Sequence, residues 1–159
     1  MEIRFPFERM LAYDAWANDR ALASVEALPE PHPKALGLVG HVLGAQAAWI
    51  SRMTAGREPD GWERWDALDA AATRRALAEE VPALWRAFLA DAALADPARE
   101  FSYRNYLGQD MKARVEVVLQ QLLFHGNYHR GQIASMVRAA GGTPAVTDYI
   151  AAVRQGALG

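Results

Sequence analysis

Cysteine is absent from this chain of 159 residues, and its absence excludes several kinds of site. Without cysteine there is no disulfide framework, no thiolate ligand for a metal and no thiol nucleophile. A transition-metal site must therefore rely on histidine nitrogen and carboxylate oxygen. A chain that needs no oxidative folding fits a reducing compartment.

Long apolar runs are absent as well. No stretch approaches the roughly 20 apolar residues that a transmembrane helix needs. The first residues, MEIRFPFERM, include charged side chains and have neither the apolar segment nor the small-residue cleavage site of a signal peptide. We therefore expect a cytoplasmic protein that does not associate with membranes.

Neither sign of charge dominates the sequence. Lys and Arg number 17 and Asp and Glu number 19, which gives a formal charge of −2 with the two signs interleaved. Without a basic face, there is no electrostatic basis for nucleic-acid binding. β-Branched residues are sparse, whereas Ala, Leu, Arg and Glu are abundant, which favours helices. The length fits a single domain over residues 1–159.

Apolar residues recur at helical spacing in four long segments and one short segment. These run approximately over residues 7–28, 36–54, 68–94, 113–140 and 148–154. Pro82 lies inside the third segment, where a proline removes a backbone hydrogen bond and predicts a kink or a break. Gly141 and Pro144 end the fourth segment, and Thr147 is the candidate N-cap of the last one.

A different pattern separates the third and fourth segments. In residues 100–112, EFSYRNYLGQDMK, aromatic residues alternate with polar ones, which predicts a short β-hairpin or an extended loop. Four main helices with mostly short connections predict an all-α fold, a four-helix bundle with this short element before the last long helix.

Two histidines stand one helical turn apart in the motif HGNYH, at His125 and His129. At this spacing both imidazoles leave the same face of a helix, within reach of one metal ion. They share a stripe with apolar residues at helical steps, among them Val118, Leu122 and Met136. The stripe is therefore expected to face the core.

His41 is the third candidate ligand, because it lies between Leu38 and Ala45 on the apolar stripe of the second helix. Three core-facing imidazoles leave polar nitrogens without water, at roughly 1–3 kcal/mol for each unpartnered group. A bound metal ion removes that cost. The alternative is that each histidine is an ordinary core residue with a polar partner. His32, in the proline-rich loop PEPHPK, is expected at the surface and is not included.

The ligand set of His41, His125 and His129 offers only neutral nitrogen, which favours zinc or nickel, and then cobalt, iron or manganese. Three protein ligands leave one coordination position open, as in catalytic zinc sites. No glutamate stands between the two histidines of HGNYH, and this disfavours a zinc protease.

Some neighbours of the histidine pair also call for a reason. Gly126 and Gly131 lower helix propensity, and close helix packing is the favoured explanation. Arg130 and Gln132 are candidate donors to the ligands or pocket groups, or else ordinary helix-surface residues.

Three tryptophans at core positions of different helices are expected to fill the core, with one of them a candidate pocket wall: Trp16, Trp49 and Trp85.

Three segments together resemble the DinB family, a group of DinB/YfiT-like metalloenzymes. They are YDAWANDRAL at residues 13–22, HVLGAQAAWISRM at 41–53 and HGNYHRGQIASMVRAAGGTPAVTDYI at 125–150. The resemblance implies an up-and-down four-helix bundle, a zinc or nickel ion held by His41, His125 and His129, and a homodimer. A surplus of apolar positions on the first and fourth helices also favours a dimer.

The activity implied by the resemblance is less specific. The wider superfamily includes thiol-dependent enzymes such as maleylpyruvate isomerase and low-molecular-weight-thiol S-transferases. We therefore expect a metal-dependent S-transferase or hydrolase that acts on a small molecule, with a low-molecular-weight thiol as candidate cofactor, in detoxification or stress response. Two alternatives stay open. One is a non-catalytic dimeric module with a structural metal, and the other is a protein that binds no metal.

Overall fold

The computed structural model describes residues 7–158, apart from the side chains of residues 62 and 63, and the chain is mostly helical. The helices are α1 (Phe7–Glu26), α2 (Pro33–Ala55), α3 (Ala70–Arg75), α4 (Val81–Ala90), α5 (Val115–Ala139) and α6 (Tyr149–Arg154). A 3-10 helix (Trp62–Ala67) lies between α2 and α3, and two strands, β1 (Glu100–Arg104) and β2 (Asp110–Arg114), precede α5. The predicted helical segments are confirmed, with small differences at their ends.

Helix α2 begins slightly earlier than predicted, because the proline-rich loop caps it. The Nδ1 atom of His32 accepts a hydrogen bond from the backbone N–H of Ala35 at 3.1 Å. Pro33 occupies the first turn, where its missing N–H leaves no partner unsatisfied. His32 is therefore a partly buried capping residue rather than the surface residue that we expected.

The third predicted segment is interrupted, although not by a sharp break. A π-helical turn (Ala76–Glu80) joins α3 to α4, and Pro82 follows in the first turn of α4. A π-helical turn is wider than an α-helical one and accommodates the proline ring and its missing N–H without ending the helical path. The predicted kink or break is therefore a π-helical turn within a continuous helical path.

The predicted hairpin is confirmed as a two-stranded antiparallel sheet. Strands β1 and β2 pair with Phe101 opposite Ala113 and Tyr103 opposite Met111. Phe101 is buried in the main core, whereas Tyr106, in the turn, is exposed. Because β2 takes up residues 113 and 114, α5 begins at Val115 rather than at residue 113.

The C-terminal part differs from the prediction in one detail. Helix α5 ends as expected, with Gly141 in the left-handed conformation at φ 79°. The N-cap of α6 is Asp148 and not Thr147, and within the described residues its side chain makes no capping hydrogen bond. The Thr147 carbonyl instead accepts a hydrogen bond from the Tyr13 hydroxyl at 2.8 Å, which ties α6 to α1.

Helix α2 occupies the centre of the fold and positions the candidate site. It contacts α1, α4, α5, the 3-10 helix and β1. The main core lies among these elements and includes large side chains that are essentially inaccessible to solvent: Leu22, Leu43, Phe88, Val118 and Ile133. In the part of the chain that the structure describes, no helix has the length and apolarity needed to cross a membrane.

Candidate metal centre

The three predicted histidines converge where α2 packs against α5. His41 comes from α2, and His125 and His129 come from successive turns of α5. One nitrogen from each lies within 4.8 Å of the other two. Of these, His125 Nε2 and His129 Nε2 are 3.1 Å apart. The cluster could hold a metal ion.

The histidines are less buried than their apolar stripes predicted. The His41 side chain is 38% exposed, and His125 and His129 are only partly buried. The expectation of fully core-facing imidazoles is therefore wrong. The reason is local: His41 and His125 border a cavity that opens beside them, so this part of the α2–α5 contact is not sealed by apolar side chains.

Polar neighbours lie close to the Nδ1 atom of two of the three rings. The side-chain carbonyl of Gln132 lies 2.7 Å from His129 Nδ1, and a carboxylate oxygen of Asp66 lies 3.3 Å from His41 Nδ1. The Gln132 oxygen accepts from the His129 Nδ1–H group, which leaves the lone pair of that ring on Nε2. The Asp66 carboxylate lies within ion-pair distance of His41 Nδ1. Gln132 thus contacts His129, but its side-chain carbonyl accepts the hydrogen bond, whereas the sequence indicated a candidate donor.

The surroundings of His125 and His129 favour their neutral forms. Burial, together with the charges of His129 and His41, lowers the pKa of His125 to about 4. Burial also lowers the pKa of His129, against the raising effect of its hydrogen bond to Gln132. Neutral imidazoles have the free lone pair that a metal ion requires.

The donor geometry fits a transition-metal ion. Metal–nitrogen bonds of about 2.0–2.1 Å in a tetrahedral zinc site place the nitrogens about 3.3 Å apart. The Nε2 atoms of His125 and His129, 3.1 Å apart, are already near this separation. A third nitrogen within 4.8 Å needs only a small ring movement. Nitrogen from three histidines suits zinc or nickel.

A cavity of about 240 Å³ adjoins the histidines. Its walls are mostly apolar and come from α2 and the 3-10 helix, including Ala45, Ala48, Trp49 and Trp65. The expectation that one tryptophan lines a pocket is confirmed for Trp49. The volume is suited to a small organic molecule or to one part of a larger one.

The far end of this cavity is charged. Arg52 and Glu58 line it and form an ion pair, with Arg52 Nε donating to Glu58 Oε1 at 3.0 Å. The guanidinium also stacks on the Trp49 ring, with 4.3 Å between Cζ and the ring centroid. Tyr106 from the hairpin turn closes the rim. A ligand in the cavity would therefore meet the histidines at one end and polar groups at the other.

Arg130 does not belong to the metal centre, contrary to both interpretations of the sequence. It is 2% exposed, and its NH1 atom donates to Asp14 Oδ1 at 2.6 Å and to Asn18 Oδ1 at 2.7 Å. Gln46 donates to Asp14 Oδ2 at 2.9 Å and accepts from Trp85 Nε1 at 2.7 Å. We call these five residues the buried polar network.

The two glycines beside the histidine pair have different surroundings. A Cβ atom on Gly126 would lie 2.8 Å from Asp14 Oδ1 and 2.9 Å from Arg130 NH1, so close packing explains Gly126. A Cβ on Gly131 would meet nothing within 4 Å. The packing explanation is wrong for Gly131.

Asp66 was not predicted from the sequence. It lies in the 3-10 helix, outside the periodic segments that drew attention to the histidines. The signal that could have revealed it is on α2, where Gly40 and Gly44 make a notch next to His41. A notch of this kind indicates that another backbone approaches closely at that turn.

Comparison with known proteins agrees with the resemblance seen in the motifs. The DinB family model matches residues 5–155. Protein DinB of Bacillus subtilis (strain 168) is 24% identical over 155 aligned residues, which cover 89% of this chain and 90% of that protein. No solved structure matches the chain significantly.

Proposed function

The chain belongs to the DinB family, and on that premise we propose that it is a metal-dependent enzyme whose divalent ion is held by His41, His125 and His129. The observation that carries the proposal is the convergence of three histidines from two helices beside an open cavity. Zinc or nickel fits this donor set best.

The reaction we propose is a thiol-dependent S-transfer or a hydrolysis, acting on a small molecule, in detoxification or stress response. A divalent ion would supply the positive charge that lowers the pKa of a thiol or a water and polarises an electrophile. The chain's own residues bind and orient: two histidines border the cavity, and Trp49 and Trp65 shield a ligand from water. A low-molecular-weight thiol is the candidate co-substrate.

A structural metal is the second candidate, because His41 and the pair on α5 would crosslink two helices. Partial exposure of the histidines and the adjoining cavity favour the enzyme instead. Chelation separates the two. A structural ion predicts that the metal-free protein unfolds or loses much of its Tm, whereas an enzyme site predicts a folded protein that has lost only ligand binding.

The activity itself is tested with zinc-loaded and nickel-loaded protein and a panel of biological thiols and electrophiles. We expect saturable binding of at least one thiol, or turnover that requires the metal and is absent from the His125→Ala variant. The proposal is contradicted if the loaded protein binds no thiol and shows no metal-dependent turnover.

We also propose that α1, α2, the stretch from α3 to α4, and α5 are the four members of an up-and-down bundle, and that the protein is a homodimer. The exposed positions of α5 between residues 117 and 135 are uncharged, and they include Val117, Phe124 and Tyr128. Interfaces between protein chains are depleted in charge and enriched in aromatic residues in this way.

A two-fold contact through this face of α5 brings no like charges together. Sedimentation of the wild-type protein should give the mass of two chains, and Phe124→Glu should give one. A wild-type monomer at micromolar concentration contradicts the dimer without affecting the metal proposal.

A further inference from the structure

We propose that Asp66 is a positioning residue for the metal centre, acting through His41. The inference rests on the proposed function, since it assigns a role toward the ion held by the three histidines. A carboxylate that accepts a hydrogen bond from a ligating imidazole fixes the tautomer and orientation of the ring and raises its basicity.

The contact itself joins Asp66 Oδ1 to His41 Nδ1 at 3.3 Å. The proposal requires a hydrogen bond from His41 Nδ1–H to this carboxylate, which would place the His41 lone pair on Nε2. His129 is oriented in the same way by Gln132. The cluster thus has a carboxylate beside it, which would partly balance the two positive charges of a divalent ion bound by neutral ligands.

Backbone packing brings Asp66 to this place. A Cβ atom on Gly40 would lie 2.0 Å from the Trp65 carbonyl oxygen, and a Cβ on Gly44 would lie 2.6 Å from Trp65 Cβ. Only glycine at these two positions lets the 3-10 helix lie directly on α2. Trp65, 4% exposed, fills the notch, and the residue that follows it is Asp66. The turn of α2 that carries His41 therefore also receives its carboxylate.

A contribution to the stability of the fold does not explain why Asp66 lies beside His41. The Asp66 side chain is 63% exposed and the His41 side chain 38% exposed, and ion pairs at such positions contribute little to folding. Helix packing is provided by Trp65 and the glycines, not by the carboxylate. Removing the carboxylate is therefore expected to weaken metal binding while leaving the metal-free fold intact.

The test compares Asp66→Asn and Asp66→Ala with Asp60→Asn. The control removes the same charge from the loop before the 3-10 helix, where the side chain of Asp60 is 91% exposed. Zinc affinity is measured by competition with a chelator, and Tm is measured on metal-free protein. We expect Asp66→Ala to bind zinc about 10- to 100-fold more weakly, Asp66→Asn to lie between Asp66→Ala and the wild type, and Asp60→Asn to match the wild type, with unchanged metal-free Tm throughout.

A second readout needs no metal. Nitrogen-15 NMR of the metal-free wild-type protein should show His41 as the Nδ1–H tautomer, and Asp66→Ala should shift it toward the Nε2–H form that predominates in free imidazoles. The inference is overturned if Asp66→Ala binds zinc as tightly as the wild type, or if Asp60→Asn loses as much affinity. If the wild-type protein takes up no metal, the proposed function fails as well, and the tautomer measurement then tells whether the Asp66–His41 bond exists on its own.

Discussion

The buried polar network and the histidine cluster lie close together, and both include residues of α2 and α5. They differ in burial, in charge and in hydrogen bonding. The buried polar network joins α1, α2, α4 and α5 through a carboxylate, a guanidinium and amides that bond to one another. The histidine cluster consists of three like groups, partly exposed beside a cavity. Most polar groups of the network have hydrogen-bond partners within the network. The histidines instead bring their ring nitrogens close to one another.

This difference indicates that the buried polar network stabilises the fold, whereas the histidine cluster is suited to receive a ligand. In the network, burial raises the pKa of Asp14, and the charge of Arg130 and the hydrogen bonds lower it, so opposite charges are placed in contact. In the histidine cluster, by contrast, the charges of His129 and His41 both lower the pKa of His125. Such a cluster is stabilised by an external cation and not by its own members.

The largest effect is expected from breaking the network at Arg130. Arg130→Met leaves the Asp14 carboxylate buried without its charged partner, which lowers the free energy of unfolding by about 3–5 kcal/mol. Urea unfolding of the metal-free protein measures this. Arg138→Met, exposed in the last turn of the same helix, is the control and should cost less than about 1 kcal/mol. A loss for Arg130→Met no larger than that of the control would contradict the structural role.

Removing a histidine should leave the metal-free protein folded and abolish its stabilisation by metal. The wild-type protein is expected to gain about 2.7 kcal/mol of stability at a metal concentration of 100 times Kd, and His125→Ala should gain none while staying folded without metal. His32→Ala is the matched control, because it removes a helix cap, about 1 kcal/mol, and leaves metal binding unchanged. Thermal melts with and without zinc report both quantities. Equal zinc stabilisation of His125→Ala and wild type would refute the assignment of His125 as a ligand.

The two glycines beside the histidine pair allow a finer comparison. Gly126→Ala places a methyl group against Asp14 and Arg130, and overpacking of this kind typically costs about 1–3 kcal/mol. Gly131→Ala has open space around the new methyl group and should gain up to about 1 kcal/mol from helix propensity. Unfolding free energies of the two variants should therefore move in opposite directions. A gain of stability in both variants would show that the network tolerates the added methyl group, and a loss in both would contradict the open space beside Gly131.

The smallest effect is expected at Gln132. Gln132→Ala removes the acceptor for His129 Nδ1–H and should weaken zinc binding about tenfold, at the lower end of the range for partners of metal ligands. Gln121→Ala, exposed on the same helix, is the control. Chelator competition distinguishes them, and equal affinities would mean that the His129 ring is oriented by packing alone.

Much of the fold was predictable from local patterns. Helix periodicity located α1 and α5 nearly to the residue, and alternating aromatics located the hairpin. The motif HGNYH placed His125 and His129 on one helix face, since spacing within a helix determines which residues are neighbours.

Pairings across helices were not predictable in the same way. Asp14 and Arg130 are separated by 116 positions, and no local pattern indicates that their charges meet in the core. Asp66 lies in a short 3-10 helix with no period to identify it. The exposure of the histidines depends on a cavity formed by five separate parts of the chain, so an apolar stripe alone overestimated their burial.

Metal content is the most direct test of the central claim. Protein purified without a histidine tag is analysed for transition metals, stripped with a chelator, and titrated with zinc and with nickel alongside His41→Ala. The account predicts about one equivalent per chain, taken up again by the stripped wild-type protein and not by the variant. Purified protein without a transition metal, and without uptake on titration, would contradict it.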